Sequence, residues 1–115
     1  MSNSVLIVSN DTTKTNADIR LGLYLHNADE QYVRDCILTE AKNNNVRGPI
    51  EDPGYCWARL CQIAANEIST GPFASKNLGV GIDRVSTFSK PDECVIYIDD
   101  NLDIVNVTDG SELEF

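Results

Sequence analysis

Ile19, Leu21, Leu23 and Leu25 alternate without a break with Arg20, Gly22, Tyr24 and His26. Successive side chains of a strand point to opposite faces, whereas a helix would scatter these four apolar residues around its circumference. A strand with one face in a core is the reading that most limits the architecture, because its backbone N–H and C=O groups need neighbouring strands. Ser4 to Ser9, a short β-branched run, supplies one such neighbour and reads as a buried strand. Antiparallel pairing of the two is expected across the polar loop Asn10 to Asn16, which is longer than a tight hairpin turn.

Two helices are expected next. Asn27 can cap free backbone N–H groups, with Glu30 three residues on completing a capping box. Tyr32, Val33, Cys36, Ile37 and Ala41 then fall on one helical face, and Asn43-Asn44-Asn45 with Gly48-Pro49 ends it. The second helix is capped by Asp52, with Pro53 in the first turn where an N–H is dispensable. Its stripe is Trp57, Leu60, Cys61, Ala64 and Ile68, and Ser69-Thr70-Gly71-Pro72 stops it.

Three strand candidates close the chain: Gly79 to Phe88, Glu93 to Asp99 and Asp103 to Thr108. The last two flank the short turn Asp100-Asn101-Leu102 and should form a hairpin. The order β-β-α-α-β-β-β implies an α+β fold: an antiparallel or mixed sheet of about five strands with two helices packed on one face. No repeat or linker divides residues 1–115, so a single domain is expected. An apolar content of 42% with 23% charged residues places the chain among globular proteins, away from the disordered class.

Charge is unevenly spread. Residues 1–90 hold 10 acids against 9 bases, whereas residues 91–115 hold eight acids and no base, so nearly all of the net charge of −9 lies in the last quarter. Such a surface is unsuited to direct nucleic-acid binding, which needs cations to replace phosphate counterions. It suits a basic protein partner, and the candidate contacts are Asp92, Glu93, Tyr97, Asp99, Asp100, Asp103, Asp109 and Glu112. Tyr24 and Tyr97 fall on strand faces open to solvent in this reading, where aromatic rings anchor interfaces.

Cys36, Cys56, Cys61 and Cys94 form no C-x-x-C pair and sit in apolar patterns, so buried reduced thiols are expected. His26 is the only histidine, which leaves no zinc-like ligand set. Val5 to Val8 is too short for a membrane span and lacks the basic flank of a signal peptide, so a cytoplasmic protein is expected.

Cys56 opens the second helix, where the helix dipole favours a thiolate. Over Cys56-Trp57-Ala58 the chain resembles papain-like cysteine peptidases and the related bacteriocin-processing peptidases, whose nucleophile opens a helix in the same triplet. That resemblance implies a thiol enzyme centred on Cys56. The chain departs from the pattern in two respects: no His follows Cys56, and no Gln stands in the V-R-G-P-I-E-D stretch before it. His26, upstream on a strand end, is the remaining candidate base, and its simpler role is a surface residue beside a helix cap.

Asp99, Asn101 and Asp103 match the first three ligand positions of a calcium loop, but Ile104 stands where the sharp-turn Gly belongs and Gly110 where the last Glu belongs. Gly79-Val80-Gly81 leads to no helix and so is no phosphate cradle; glycines at a strand edge account for it. No catalytic residue, metal or cofactor is therefore assigned. The leading expectation is a small acidic inhibitor, of the immunity-protein, antitoxin or phage-inhibitor kind, that masks a basic surface of a toxin, nuclease or nucleic-acid machine. The alternatives are the Cys56 thiol enzyme and a homo-oligomeric adaptor that dimerises through a strand edge.

Overall fold

The computed structural model describes residues 4–10, 20–26, 28–70 and 79–111, with the backbone alone for 67–70. Five strands, β1 (Ser4–Ser9), β2 (Leu21–His26), β3 (Val80–Arg84), β4 (Cys94–Ile98) and β5 (Ile104–Thr108), make one sheet in the order β3-β2-β1-β4-β5. β1 lies at its centre, antiparallel to β2 and parallel to β4, so the sheet is mixed. β3 pairs antiparallel with β2, and β5 with β4, as edge strands.

Between β2 and β3 run two helices. The first, α1, is built of Glu30–Tyr32, a wider π stretch Val33–Leu38, and Thr39–Asn43; the second, α2, is Pro53–Thr70. The cap of α1 is Asp29, whose Oδ1 accepts the Tyr32 N–H at 2.8 Å. Asn27, the expected cap, lies outside the described residues, and Glu30 pairs with Arg34 one turn on instead of closing a capping box. Asn45, at φ 54°, ends α1 in the left-handed conformation, and the Val46 N–H reaches back to the Ala41 carbonyl at 3.1 Å. That closure satisfies a terminal carbonyl much as glycine-ended helices do.

The register sorts the side chains. Val5 and Ile7 lie beside Leu25 and Leu23 on one side and beside Cys94 and Ile96 on the other. This inner face, with Ile98, meets Val33, Ile37 and Leu38 of α1 and Trp57, Leu60 and Ala64 of α2 in one cluster. The expected stripes therefore face the sheet; the side chain of Ile68 is outside the described residues. Leu38 was not on the expected stripe. The i→i+5 spacing of the π stretch carries it round to the side of Val33.

The outer face is also apolar. Leu6, Val8, Val95 and Tyr97 form a second cluster closed by Val85, with Phe88 and Tyr24 against it. The expected strand Gly79 to Phe88 is cut short for this purpose. It ends at Arg84, and a 3-10 turn over Val85–Thr87 folds Val85 onto the sheet, its N–H bonded to the Arg20 carbonyl at 2.7 Å. Among the described residues no helix is long and apolar enough to cross a membrane.

Candidate functional site

The acidic residues gather at the two ends of the β4–β5 hairpin. At the turn, Asp99 Oδ1 accepts the N–H groups of Asn101 and Asp103 at 2.9 and 3.0 Å. Asp100 Oδ1 accepts those of Ile50 and Glu51 at 2.8 and 3.1 Å, which pins the hairpin to the loop between the helices. Asp103 is ion-paired with Lys42 of α1. The Asp99 pattern is an Asx turn: the first residue of the calcium-like run uses its carboxylate to hold the backbone, and Asp103 spends its own on Lys42. Among the described residues no three His, Cys, Asp or Glu side chains converge on a common point.

At the other end Thr108 pairs with Val95, which brings Asp109 beside the start of β4 and the exposed Asp92 and Glu93. The Asp109 carboxyl is held below its ordinary range, chiefly by the Ser111 N–H that it accepts at 2.9 Å. Between the two acidic ends β5 presents Val105 and Val107, 46% and 37% exposed, on an edge with no further strand among the described residues. The Val107 N–H donates to Asn106 Oδ1 at 3.0 Å, so a side chain of the edge strand itself occupies one of its donors.

One expected contact is placed differently. Tyr97 is 6% exposed, enclosed in the outer-face cluster with the Arg20 guanidinium 5.9 Å above its ring, and it offers no surface anchor. The residue alternates correctly to the outer face, but that face is covered. Glu112 lies outside the described residues.

Cys56 sits in the first turn of α2, fully buried in the inner-face core. Burial pushes its thiol from the ordinary 9.0 up to about 12, with Asp100 and Asp52 adding to the shift. Desolvation here outweighs the helix dipole, and the thiol stays protonated at neutral pH. Asp52 does not cap α2 with its side chain. Its carbonyl accepts the Cys56 N–H at 2.9 Å, while its carboxylate takes Nε and Nη2 of Arg47 at 3.1 and 2.9 Å. His26 stands against Tyr24, an outer-face residue, so the sheet separates its ring from Cys56. All four cysteines are free; Cys36, Cys61 and Cys94 are half-buried where full burial was expected.

Sequence reasoning missed a cleft of about 560 Å³ on the outer face at the β2–β3 edge. Tyr24 is stacked on Phe88 with centroids 5.3 Å apart, and His26 meets Tyr24 edge-on at 5.0 Å. Opposite these rings stand glycines: Gly81 pairs with Tyr24, and the Gly79 carbonyl accepts the His26 N–H at 2.9 Å. Lys90 and Asp92 are among the remaining lining residues. The alternation of Tyr24 with His26 and of Gly79 with Gly81 was the available signal, since paired strands place such residues face to face.

Comparison of the chain with protein-family models, with curated proteins and with solved structures finds no match in any of the three.

Proposed function

We propose that this chain is a binding protein of the inhibitory kind, which covers a basic partner protein with the acid-bordered edge of β5. One observation carries the reading: two half-exposed valines lie on an open strand edge between acidic clusters, with Asp103 before them and Asp109 after. The six steps of chain from Asp103 to Asp109 span about 20 Å, so a basic partner meets carboxylates at both ends of an apolar strip. Carboxylates held at the ends of strands need little ordering on binding, and their field accelerates encounter with a cationic surface.

Charge also selects against self-association through this edge. Antiparallel pairing of β5 with a second β5 about Asn106 would set Asp103 opposite Asp109 at both ends, and like charges directly opposite are destabilising. A partner strand or loop with flanking Lys or Arg has the complementary pattern.

The test is retrieval from a lysate of the organism that encodes the chain, with wild type and Val107→Pro as baits. The Val107 N–H is bonded within its own strand, so proline there blocks the edge and leaves the β4 ladder in place. Basic proteins retained by wild type, released by salt and lost with Val107→Pro are the expected result. The same proteins on both baits would refute the edge as the binding surface.

A further inference from the structure

We infer that the open edge of β3 pairs antiparallel with β3 of a second copy of this chain, across a two-fold axis at Ile82. β3 and β5 are opposite edges of the sheet, so this contact does not rest on the proposal made for β5.

The hydrogen-bond phase of β3 is fixed at both of its ends. The His26 N–H donates to the Gly79 carbonyl at 2.9 Å, and the Val85 N–H to the Arg20 carbonyl at 2.7 Å. Bonded positions alternate along an antiparallel pair, so Gly81 and Asp83 also bond to β2. The backbone groups of Val80, Ile82 and Arg84 therefore point away from the sheet. Asp83 Oδ1 accepts the Arg84 N–H at 2.7 Å, which closes that donor. The N–H and C=O of Ile82 have no partner among the described residues. Its side chain stands beside Leu23 on the inner-face side and is 38% exposed. An edge in this condition is a template for another strand.

The pattern of β3 is complementary to itself. Antiparallel pairing about Ile82 sets Ile82 against Ile82, Gly81 against Asp83 and Val80 against Arg84. The two Ile82 residues exchange both backbone bonds, and each Val80 N–H reaches the Arg84 carbonyl of the other copy. Their two side chains share one face and cover each other. Each Asp83 meets a glycine and each Arg84 a valine, so no like charges stand directly opposite. The two Asp83 are diagonal neighbours, about 7–8 Å apart, and each carboxylate is turned to the Arg84 N–H of its own strand. At β5 the same operation opposes Asp103 and Asp109, and Asn106 already occupies the Val107 N–H.

Net charge permits the contact. Residues 1–90, which include β3, hold 10 acids against 9 bases. In the joined sheet the two acidic β5 edges lie at opposite ends, about 40 Å apart at the usual strand spacing. That is several times the screening length of about 8 Å at physiological salt. A two-fold contact also closes on itself, leaving a dimer with one β5 edge free at each end.

The experiment is sedimentation velocity on the full chain from about 10 μM to about 1 mM, a range that covers the affinity of a small interface. Wild type should pass from monomer to dimer as concentration rises. Ile82→Pro removes an N–H that β2 does not use and should stay monomeric throughout. Ile82→Lys sets like charges together at the axis and should weaken the dimer about tenfold or more; it carries the test should the proline variant fail to fold. Val107→Pro, on the other edge, should dimerise as wild type does. Register is tested by Ile82→Cys under mild oxidant. Bonded partners have Cα atoms about 5.5 Å apart, within reach of a disulfide, so this variant should cross-link beyond the level of wild type. A wild type that stays monomeric to about 1 mM, assembly beyond the dimer, a dimer unchanged by Ile82→Lys or lost with Val107→Pro, or no added cross-link in Ile82→Cys would each overturn the inference.

Discussion

Asp100 Oδ1 lies 2.8 Å from the backbone nitrogen of Ile50, and this contact joins the tip of the β4–β5 hairpin to the loop between the two helices. The approach requires Gly48, because a Cβ built there would fall inside the backbone of Asp100. Gly48→Ala must push the two segments apart and should cost about 1–3 kcal/mol, the usual range for overpacking. Asp100→Ala breaks the same joint from the other side. In a denaturant double-mutant cycle the pair should lose less than the sum of the single losses, and strict additivity would show that the joint does not act as a unit.

Trp57, 2% exposed, fills the space between α2 and the inner face of the sheet. Trp57→Ala should lower stability by about 3–5 kcal/mol, through lost burial and the cavity left behind. A loss below about 1 kcal/mol in urea titration would place the indole outside the core.

Much of the fold was legible because hydrophobic period and punctuation agree in most segments. Ser4–Ser9, the alternation through His26, and the Trp57-Leu60-Ala64 stripe all read correctly. The errors occur where a long-range contact overrides a local rule. Asp52 has the chemistry of a cap but turns its carboxylate to Arg47. Leu38 joins the core only because α1 widens into a π stretch, which spacing at 3.6 residues per turn does not reveal. Asp99 and Asp100 read as free surface charge, yet their oxygens hold the hairpin turn and the interhelical loop. Tyr97 alternates onto an outer face that a 3-10 turn covers. The cleft was hidden because its lining comes from three separate stretches of chain.

The buried thiol of Cys56 gives stability a defined pH dependence. In the folded chain it ionises only near 12, against an ordinary 9.0. As pH rises from about 9 the unfolded chain loses a proton that the folded chain keeps, so stability falls between about 9 and about 12 and this contribution is flat below. Urea unfolding at about pH 8 and about pH 10 should show the loss in wild type and a smaller one in Cys56→Ala. Equal losses in the two proteins would show that Cys56 ionises as freely folded as unfolded. Alkylation at neutral pH should correspondingly reach Cys36, Cys61 and Cys94 before Cys56, and early labelling of Cys56 would contradict the burial.

The most direct test of the binding proposal is the association rate with the retrieved basic partner, measured at low and high salt. The comparison is between wild type and Glu93→Gln/Asp103→Asn/Asp109→Asn. Asp103 and Asp109 flank β5 and Glu93 precedes the neighbouring β4, and none of the three carboxylates makes the Asp99 and Asp100 contacts that hold the turn. The Lys42 pair lost with Asp103 is exposed and contributes little to stability. Steering by the acidic ends predicts that the triple variant associates about tenfold more slowly at low salt, with a flatter dependence on ionic strength and an unchanged unfolding midpoint. Equal rates and equal salt slopes for the two proteins would contradict it, leaving the acidic ends as a solvated surface.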